Sequence, residues 1–384
     1  MARREESRAR FRRYATAALV LSVVGLVAAV RMGAQARGGS DSLIVGETMG
    51  TTFHIRVLPH GSPRLKRRIE KELDRLEDIF STFRPSSVIS RFNAFRGPGS
   101  FPVPSEMAEV VGFALDLAGL SEGAYDPTIA PVVNLWGFGW QGRRSTPPDP
   151  AAVDRALRIT GYSKVRVFPS GRLKKNDPRV QLDLASVAKG YAVDRIWKLL
   201  RTEGYSDFLI EIGGEVRVSG TCSGRVWRVG IEMPFPDRLP GADVLRVLRL
   251  KNGTAVATSG SYRNFITSPR GGVYGHVIDA RTGFPVSNSV VSVTVVAPRC
   301  LTADGLATAL MVLGPDKGLA LARKFPHTEA LMVLSTGSGF RLVQTEGFGS
   351  LVESEQESLF TGAEVAVTES GVGGGQADSR GGVR

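Results

Sequence analysis

The chain has 384 residues, and its 49 lysines and arginines outnumber its 37 aspartates and glutamates, which gives a formal net charge of +12. This length is enough for one large domain or two subdomains with a real core. The basic excess suits an anionic small molecule or a membrane surface. No segment interleaves arginines with aromatic residues, which argues against a nucleic-acid-binding protein.

The first 36 residues have the pattern of an export signal. Six arginines fall within residues 3–13, sixteen apolar or small residues run from Ala15 to Val30, and Ala34-Gln35-Ala36 offers a small-x-small cleavage site. We predict a signal peptide over residues 1–36 or an uncleaved anchor, although this run is short for a spanning helix. The mature protein is then exported, periplasmic or attached to the outer face of the cytoplasmic membrane. Its net charge falls to +7, because the segment carries seven arginines and two glutamates.

The remaining chain, residues 37–360, is predicted to be one domain built from helices and strands. Helical periodicity covers Leu65–Phe80, Ser105–Leu120, about Ala151–Ile159, about Val187–Glu203, a segment from Thr302 and Lys317–Lys324. Strand patterns lie after Thr48 and at Val165–Phe168, Val180–Leu184, Phe208–Ile212, Val216–Ser219, Trp227–Ile231, Val244–Leu250, Ala255–Thr258, Val290–Val296, Ala330–Leu334 and Phe340–Val343. Hairpin-length spacing predicts mostly antiparallel sheets with packed helices, an α+β fold. Residues 361–384 lack periodicity and are predicted to be a disordered tail.

Two common nucleotide-binding motifs are excluded. Gly137, Gly139 and Gly142 match G-x-G-x-x-G, but no strand precedes them and no helix follows, so we reject a Rossmann site. No P-loop occurs in the sequence. The two cysteines, Cys222 and Cys300, lack metal-ligand spacing, and although export would permit a disulfide, the sequence does not show that they meet.

The stretch Gly275–Leu313 contains the first candidate site. Asp304 and Thr308 lie four residues apart near the start of a predicted helix, so their side chains share one face. A carboxylate and a hydroxyl are hard oxygen donors of the kind that Mg²⁺ or Ca²⁺ accepts. The alternative is structural: Asp304 favours a first helical turn, and Thr308 bonds back to a carbonyl group.

A second candidate segment runs from Asp183 to Asp194. Asp183 is predicted at a strand end, and Lys189 in the first turn of a helix, where it would face an anion or a carboxylate unless it is solvated. Backbone groups around Ser186 are available to a phosphate or a metal. His276, one of four histidines, is a candidate proton acceptor. Its structural alternative is a satisfied histidine in a strand.

Eight sequence blocks, taken in order, resemble those of the ApbE family of FAD:protein FMN transferases. They are MGTTFHI, FSTFRPSSVISRFN, GAYDPTIAPVVNLWGFG, DLASVAKGYAVDRI, IGGEVRVSG, VATSGSYRNF, GHVIDARTGFPV and TADGLATALMVLG. The resemblance extends from about Gly46 to Leu342. It implies one catalytic domain with the flavin site in a cleft between two subdomains.

The resemblance also implies site residues. Metal ligands fall on Asp304, Thr308 and the carbonyl group of Ser186, and catalytic roles fall on His276 and Asp304. Isoalloxazine and ribityl contacts fall near Met49, Phe83, Ala124, Tyr125 and Asp126, and adenine and pyrophosphate contacts near Asp183, Lys189 and His276. Phe83 stands where the family often has tyrosine, and Tyr125 where phenylalanine is common.

The implied activity is a Mg²⁺-dependent transfer of FMN from FAD to a threonine of an acceptor protein, with release of AMP. The family's acceptors are membrane or extracytoplasmic redox proteins. Two alternatives remain open from the sequence: an FAD pyrophosphatase that uses water in place of threonine, and a non-catalytic flavin carrier of the cell envelope. Asp304 and Thr308 argue against the carrier, which needs no metal at the phosphates.

Overall fold

A computed structural model describes residues 41–144, 146–234, 244–261, 265–267, 273–337, 339–353 and 364–367. Eight α-helices lie within these ranges. They are α1 Pro63–Phe80, α2 Val88–Ala94, α3 Ser105–Leu120, α4 Ala130–Trp136, α5 Pro150–Leu157, α6 Ala185–Thr202, α7 Cys300–Leu313 and α8 Pro315–Ala322.

Eighteen strands lie in the same ranges. The first nine are β1 Ser42–Thr48, β2 Thr51–Leu58, β3 Ser100–Pro102, β4 Val165–Phe168, β5 Arg172–Lys175, β6 Asp207–Ile212, β7 Glu215–Ser219, β8 Trp227–Glu232 and β9 Val244–Leu250. The others are β10 Ala255–Gly260, β11 Phe265–Thr267, β12 Val273–Gly275, β13 Ile278–Asp279, β14 Phe284–Pro285, β15 Val290–Ala297, β16 Glu329–Thr336, β17 Gly339–Gln344 and β18 Glu364–Val367.

A nine-stranded sheet forms the centre of the fold, in the order β1-β2-β6-β7-β10-β15-β16-β17-β18. Every pair in it is antiparallel except β17 and β18, which are parallel. A three-stranded sheet, β3-β5-β4, and three two-stranded hairpins complete the strand pairing. The α+β prediction with mostly antiparallel sheets is therefore confirmed.

Successive residues of the central strands point to opposite faces of the sheet, and each face has its own core. One core lies between the sheet and the helices, where Ile210 of β6 and Val295 of β15 pack with residues of α1, α3, α6 and α7. The second lies beneath the β8–β9 hairpin, where Leu209 and Val296, the chain neighbours of those two residues, are buried. The helical face carries the candidate site.

Helix α1 shows how the local sequence specifies its element. Leu65, Ile69, Leu73 and Leu76 recur at helical spacing and are all buried. The Ser62 side chain accepts a hydrogen bond from the backbone N–H of Leu65 at 3.2 Å and caps the first turn. The predicted helix is confirmed, with its start two residues earlier than expected.

The strand predicted over Val180–Leu184 is wrong, although its alternating burial is present. The side-chain amide of Asn93 takes the place of a neighbouring strand. Its Nδ2 donates to the carbonyl oxygen of Leu182 at 2.8 Å, and its Oδ1 accepts from the Leu182 backbone N–H at 2.7 Å. A single side chain thus satisfies the backbone groups that a strand partner would otherwise satisfy.

The two ends of the chain are described only in part. The prediction of a disordered tail is wrong for Glu364–Val367, which form β18 beside β17. The predicted export signal, residues 1–36, lies outside the described residues. No helix within the described ranges is long and apolar enough to cross a membrane.

Cys222 and Cys300 are both free thiols, so the disulfide left open by the sequence is not formed.

Two tight turns project from the sheet. Met49-Gly50 joins β1 to β2, and Gly213-Gly214 joins β6 to β7. All four residues have positive φ, as expected for two-residue hairpins of the I′ kind. A Cβ added to Gly213 would lie 2.7 Å from Thr51 Cγ2 and 3.3 Å from Lys189 Cδ. The turns therefore lie next to each other and next to α6.

One ion pair on the sheet makes stability depend on pH. Nδ1 of His54 on β2 lies 2.6 Å from Oε2 of Glu211 on β6, which is buried. The hydrogen bond to Glu211 raises the pKa of His54 above its ordinary value, although burial opposes this shift. The stabilisation from this pair is complete below the unfolded pKa of about 6.5 and is lost as pH rises through the raised folded pKa.

We therefore expect the free energy of unfolding to contain a His54-dependent contribution that falls as pH rises above about 6.5. Urea unfolding from pH 6 to pH 9 should show it in the wild type and not in His54→Gln. The control is His60→Gln, at an exposed histidine with no ion-pair partner in the described part of the chain. A His54→Gln curve parallel to that of the wild type would contradict the assignment.

Candidate active site

Several predicted site residues meet at the N-terminal end of α6. The Ser186 hydroxyl, on the second residue of the helix, donates to the Tyr125 hydroxyl oxygen at 3.2 Å. The backbone N–H of Asp183 donates to the carbonyl oxygen of Pro127 at 2.8 Å. Burial, reinforced by the nearby charges of Asp304 and Asp183, raises the pKa of Tyr125, which keeps the phenol neutral. The loop 124–128 therefore packs against the first turn of α6.

Helices α6 and α7 approach each other closely at Gly190. A Cβ on this residue would lie 2.3 Å from the carbonyl oxygen of Cys300, so the contact requires glycine. The Gly190 backbone N–H donates to Oδ2 of Asp304 at 2.9 Å. In a regular helix this N–H serves the carbonyl group four residues earlier, which belongs to Ser186. The Asp304 carboxylate is thereby placed beside the Ser186–Gly190 turn.

Helix α7 begins at Cys300, two residues before the predicted start. Its first N–H groups are capped by Asp194, whose Oδ1 accepts from Cys300 N at 2.9 Å and whose Oδ2 accepts from Leu301 N at 3.1 Å. Asp304 is consequently in the second turn and buried, so the structural alternative of a first-turn aspartate is wrong. The predicted start failed because the capping side chain comes from another helix.

Thr308 lies one turn beyond Asp304 and is half-buried. Its Oγ1 is 3.3 Å from Oγ of Ser259, near the end of β10. No hydrogen bond from Thr308 to a backbone carbonyl group is found in the described part of the chain, in contrast to the structural alternative. Sequence reasoning missed Ser259, although it stands inside the block VATSGSYRNF.

Lys189 is the fifth residue of α6, and thus in its second turn rather than the predicted first. Its Nζ lies 2.6 Å from Oε1 of Glu215, so it faces a carboxylate and is not solvated on all sides. Burial opposes its charge, but Glu215 and Asp304 raise the pKa of Lys189 to about 12. Glu215 is 2% exposed, and its second oxygen, Oε2, has no hydrogen-bond partner in the described chain. Glu215 is not among the residues predicted from the sequence.

Two buried carboxylates thus share one ammonium group. Burial raises the pKa of Asp304 and of Glu215, and Lys189 counters both shifts. When all three groups are ionised, Asp304, Glu215 and Lys189 together carry a net charge of −1. Burial raises the pKa of Glu215 to about 8, so a proton on this carboxyl relieves the charge at neutral pH. A bound cation would favour the fully ionised state by compensating that charge.

The donors around Asp304 fit a hard divalent cation. No hydrogen bond to Asp304 Oδ1 is found among the described residues. Thr308 lies one turn further along α7, with its hydroxyl group 3.3 Å from that of Ser259. No group of three or more His, Cys, Asp or Glu side chains within the described ranges is arranged so that it could hold a metal ion. A cation at Asp304 would therefore rely on neutral oxygen donors, which Mg²⁺ accepts together with water and substrate phosphates.

The other two predicted aspartates bind backbone groups. Asp183 does not end a strand; its Oδ1 accepts from the N–H of Ala185, the first residue of α6, at 2.8 Å. Asp126 accepts from the N–H and hydroxyl of Thr128 through Oδ1 and from the N–H of Tyr162 through Oδ2. Burial raises the pKa of both carboxyls. The carboxylate of Asp126 therefore holds its own loop in place.

Met49 and Phe83 lie on a separate side of the site, joined by Glu77 of α1. Glu77 is buried, and its Oε1 accepts from Met49 N at 2.7 Å and from the Thr48 hydroxyl at 3.1 Å. Its Oε2 accepts from Arg84 at 2.5 Å. Phe83, beside Arg84, is 60% exposed. Glu77 thus fixes the β1–β2 turn, where Met49 has a positive φ that is uncommon for such a side chain.

His276 follows β12 and is in neither β12 nor β13, so the strand alternative is wrong. Its ring lies edge-on to Phe138, with 6.3 Å between ring centroids. The same segment reaches the first group of residues through Ala280, whose N–H donates to the carbonyl oxygen of Ala124 at 3.3 Å. The histidine segment therefore joins the loop that carries Tyr125.

The chain is similar to proteins of known activity. A family model described as "ApbE family" matches residues 49–332. An FAD:protein FMN transferase of Vibrio cholerae serotype O1 is 38% identical over 308 residues, which cover 79% of this chain and 90% of that protein. Its counterpart from Salmonella typhimurium is 35% identical over 321 residues, covering 82% and 90%.

A solved structure is similar as well. That of the flavin transferase ApbE from Vibrio cholerae superposes with a TM-score of 0.75 at 36% identity. The match covers 82% of this chain and the whole of that one. The similarity therefore extends over nearly all of the described fold, including every element that contributes to the site.

The contact between α6 and α7 generates a stability prediction. Gly190→Ala should lower the free energy of unfolding by about 1–3 kcal/mol, because the added methyl group meets a backbone carbonyl group that cannot move without shifting α7. The control is Gly112→Ala in α3, where a Cβ meets nothing within 4 Å. That change should raise stability by about 0.5–1 kcal/mol. Urea unfolding of both variants measures the difference, and equal stabilities would contradict the close approach.

Proposed function

Because this chain belongs to the ApbE family, it is an FAD:protein FMN transferase, and we propose that it uses Mg²⁺ and transfers FMN to a threonine with release of AMP. One observation supports the proposed chemistry best. The buried Asp304 carboxylate lies beside Ser186 and Thr308, with Lys189 near enough to feel its charge. A cation and an ammonium group side by side suit a pyrophosphate.

The proposed binding roles follow this division of the site. Lys189, Asp183 and His276 face the adenine and pyrophosphate part of FAD. The flavin ring and ribityl chain lie between two groups of residues. One group is the Met49 turn with exposed Phe83, and the other is Ala124, Tyr125 and Asp126. Since the Asp126 carboxylate binds its own loop, we assign flavin contact there to the backbone.

The transfer itself exchanges one phosphorus–oxygen bond for another. The threonine Oγ attacks the phosphorus on the flavin side, its proton passes to His276, and the bond to the bridging oxygen breaks. AMP leaves with that oxygen, and FMN remains on the threonine as a phosphoester. General-base assistance of this kind contributes about 10²–10⁴-fold in rate.

The metal would be held by Asp304, Thr308 and the Ser186 carbonyl group. When bound, Mg²⁺ supplies charge neutralisation to the pyrophosphate as negative charge grows on the leaving group. Lys189 adds a fixed positive charge at the same place, and Glu215 holds its ammonium group in position.

We further propose that the enzyme acts outside the cytoplasm on a membrane or extracytoplasmic redox protein. The arginine-rich and apolar segment 1–36 supports export. A reporter enzyme fused after Arg37 that is active only in the cytoplasm would contradict this location.

The metal proposal is tested by Asp304→Ala beside Thr308→Val. Asp304 is the one charged donor in the proposed set, so its loss should reduce transfer by about 10²-fold or more, and Thr308→Val by about 10-fold. The mature chain is incubated with FAD and with an envelope extract of the organism that produces it, over a series of Mg²⁺ concentrations. Covalent flavin is read by fluorescence in a denaturing gel, and AMP by chromatography.

The outcomes separate the competing functions. Flavin binding should persist in both variants, and a thermal melt should show that both fold. A folded Asp304→Ala that transfers FMN at the wild-type rate would rule out the metal assignment. AMP release by the wild type with no labelled protein would instead identify an FAD pyrophosphatase.

A second prediction concerns Glu77. Glu77→Ala removes the acceptor that holds the N–H of Met49, so the turn should relax and the dissociation constant for FAD should rise by about 10-fold. Glu77→Gln keeps a carbonyl acceptor and should restore most of the affinity. Fluorescence titration measures both. Equal affinities in the alanine variant and the wild type would show that Glu77 does not position the flavin contact.

A further inference from the structure

An exposed tryptophan lies in the loop that contacts His276. Trp140 is 53% exposed, the second-largest value after Phe83 among the exposed large apolar side chains of the described residues. It belongs to the segment 137–144, which we call the Trp140 loop. Phe138 of this loop contacts the His276 ring. Two residues span at most about 7 Å, so the backbone of Trp140 lies within that distance of Phe138.

The Trp140 loop has a defined conformation anchored on α4. Gly137 ends the helix, and a Cβ there would lie 2.5 Å from the backbone N of Arg144, so the loop closes on its own start. Gly139 packs against Asn134, where a Cβ would lie 2.0 Å from Oδ1. The loop therefore presents Trp140 to solvent from a fixed base, as a binding anchor requires.

The charge of the loop is of one sign. Arg143 and Arg144 are exposed, and neither has a hydrogen-bond or ion-pair partner among the described residues. Residues 137–144 contain no aspartate or glutamate. Tryptophan and arginine are the side chains most enriched among the energetically dominant residues of protein interfaces. The unpaired guanidinium groups favour a partner surface that is acidic.

A second exposed aromatic side chain lies in β11, the strand that pairs with the residue before His276. Phe265 of β11 is 41% exposed and pairs with Gly275 of β12, the residue immediately before His276. Its neighbour Ile266 is buried, so alternation along the strand directs Phe265 away from the core. Exposed aromatic side chains thus occur in both segments that adjoin the proposed base, the Trp140 loop and strand β11.

We propose that the Trp140 loop, together with Phe265, is the docking surface for the acceptor protein. The proposal rests on the proposed function, in which the acceptor threonine must come within hydrogen-bond distance of His276. A protein that delivers its threonine there must cover the side chains nearest to His276. The surface it meets is apolar at Trp140 and Phe265 and positive at Arg143 and Arg144. The acceptor is therefore expected to carry apolar and acidic residues around its threonine.

The test compares Trp140→Ser with Leu43→Ser, a control at β1 with nearly equal exposure, 52% against 53%. The second comparison tests the charge of the loop with the double variant Arg143→Glu/Arg144→Glu. Its control is the double variant Arg64→Glu/Arg67→Glu at the start of α1, which is far from Glu77 along the helix. The acceptor used for kinetics is the protein of the envelope extract that becomes covalently labelled with flavin by the wild-type enzyme. It is purified before the measurements. FAD affinity is measured in parallel by fluorescence titration.

Trp140→Ser should raise KM for the acceptor by about 10-fold or more, with kcat at saturating acceptor within about twofold of wild type. Arg143→Glu/Arg144→Glu should raise KM for the acceptor by a similar factor, and this effect should weaken as the salt concentration increases. Both controls and all FAD affinities should be unchanged. Unchanged KM in both test variants, while the wild type transfers FMN, would overturn the docking surface alone.

Two other results would also overturn it. If the wild type transfers no FMN, the proposed function fails, and the docking surface fails with it. If Trp140→Ser instead loses sedimentation with vesicles of phosphatidylglycerol and phosphatidylcholine while its acceptor KM is unchanged, the loop contacts a membrane and not the acceptor.

Discussion

The close contact between α6 and α7 at Gly190 is the constraint on which the rest of the site depends. Because Gly190 has no side chain, the helices approach until its backbone N–H reaches the Asp304 carboxylate. A second contact between α6 and α7 fixes where α7 begins. The Asp194 carboxylate of α6 accepts hydrogen bonds from the backbone N–H groups of Cys300 and Leu301. Together they decide which face of α7 points to the start of α6, and so bring Asp304 and Ser186 together.

The carboxylates at this contact are buried, and their charge is therefore energetically unfavourable. A bound metal and substrate would offset that cost. Asp304 and Glu215 are buried with Lys189 as their one shared ammonium group, and the second oxygen of Glu215 lacks a donor in the described chain. Desolvated charges of this kind are costly unless they are paired. A ligand that brings a cation to Asp304 and an anion to Lys189 gains more here than at a surface, because few water molecules compete.

The flavin side of the site is held by different means. The Met49 turn is kept in an uncommon backbone conformation by a buried glutamate of α1, and the same glutamate binds the arginine next to Phe83. The turn and the residue next to Phe83 are therefore bonded to the same helix. His276 and the Trp140 loop form the third side, where Trp140 is exposed.

The sequence by itself determined the elements with strong local patterns. Helices α1 and α3 and most central strands follow from apolar periodicity, and the ordered blocks identified the family, because these signals need only neighbouring residues. The tertiary structure decided the rest. Asp194 starts α7 from 106 residues away, Asn93 replaces a strand partner for Leu182 from 89 residues away, and Glu215 of β7 pairs with Lys189 of α6. Such partners leave no local signal, since a hydrogen bond between distant residues depends on where the fold brings them and not on their spacing in the chain.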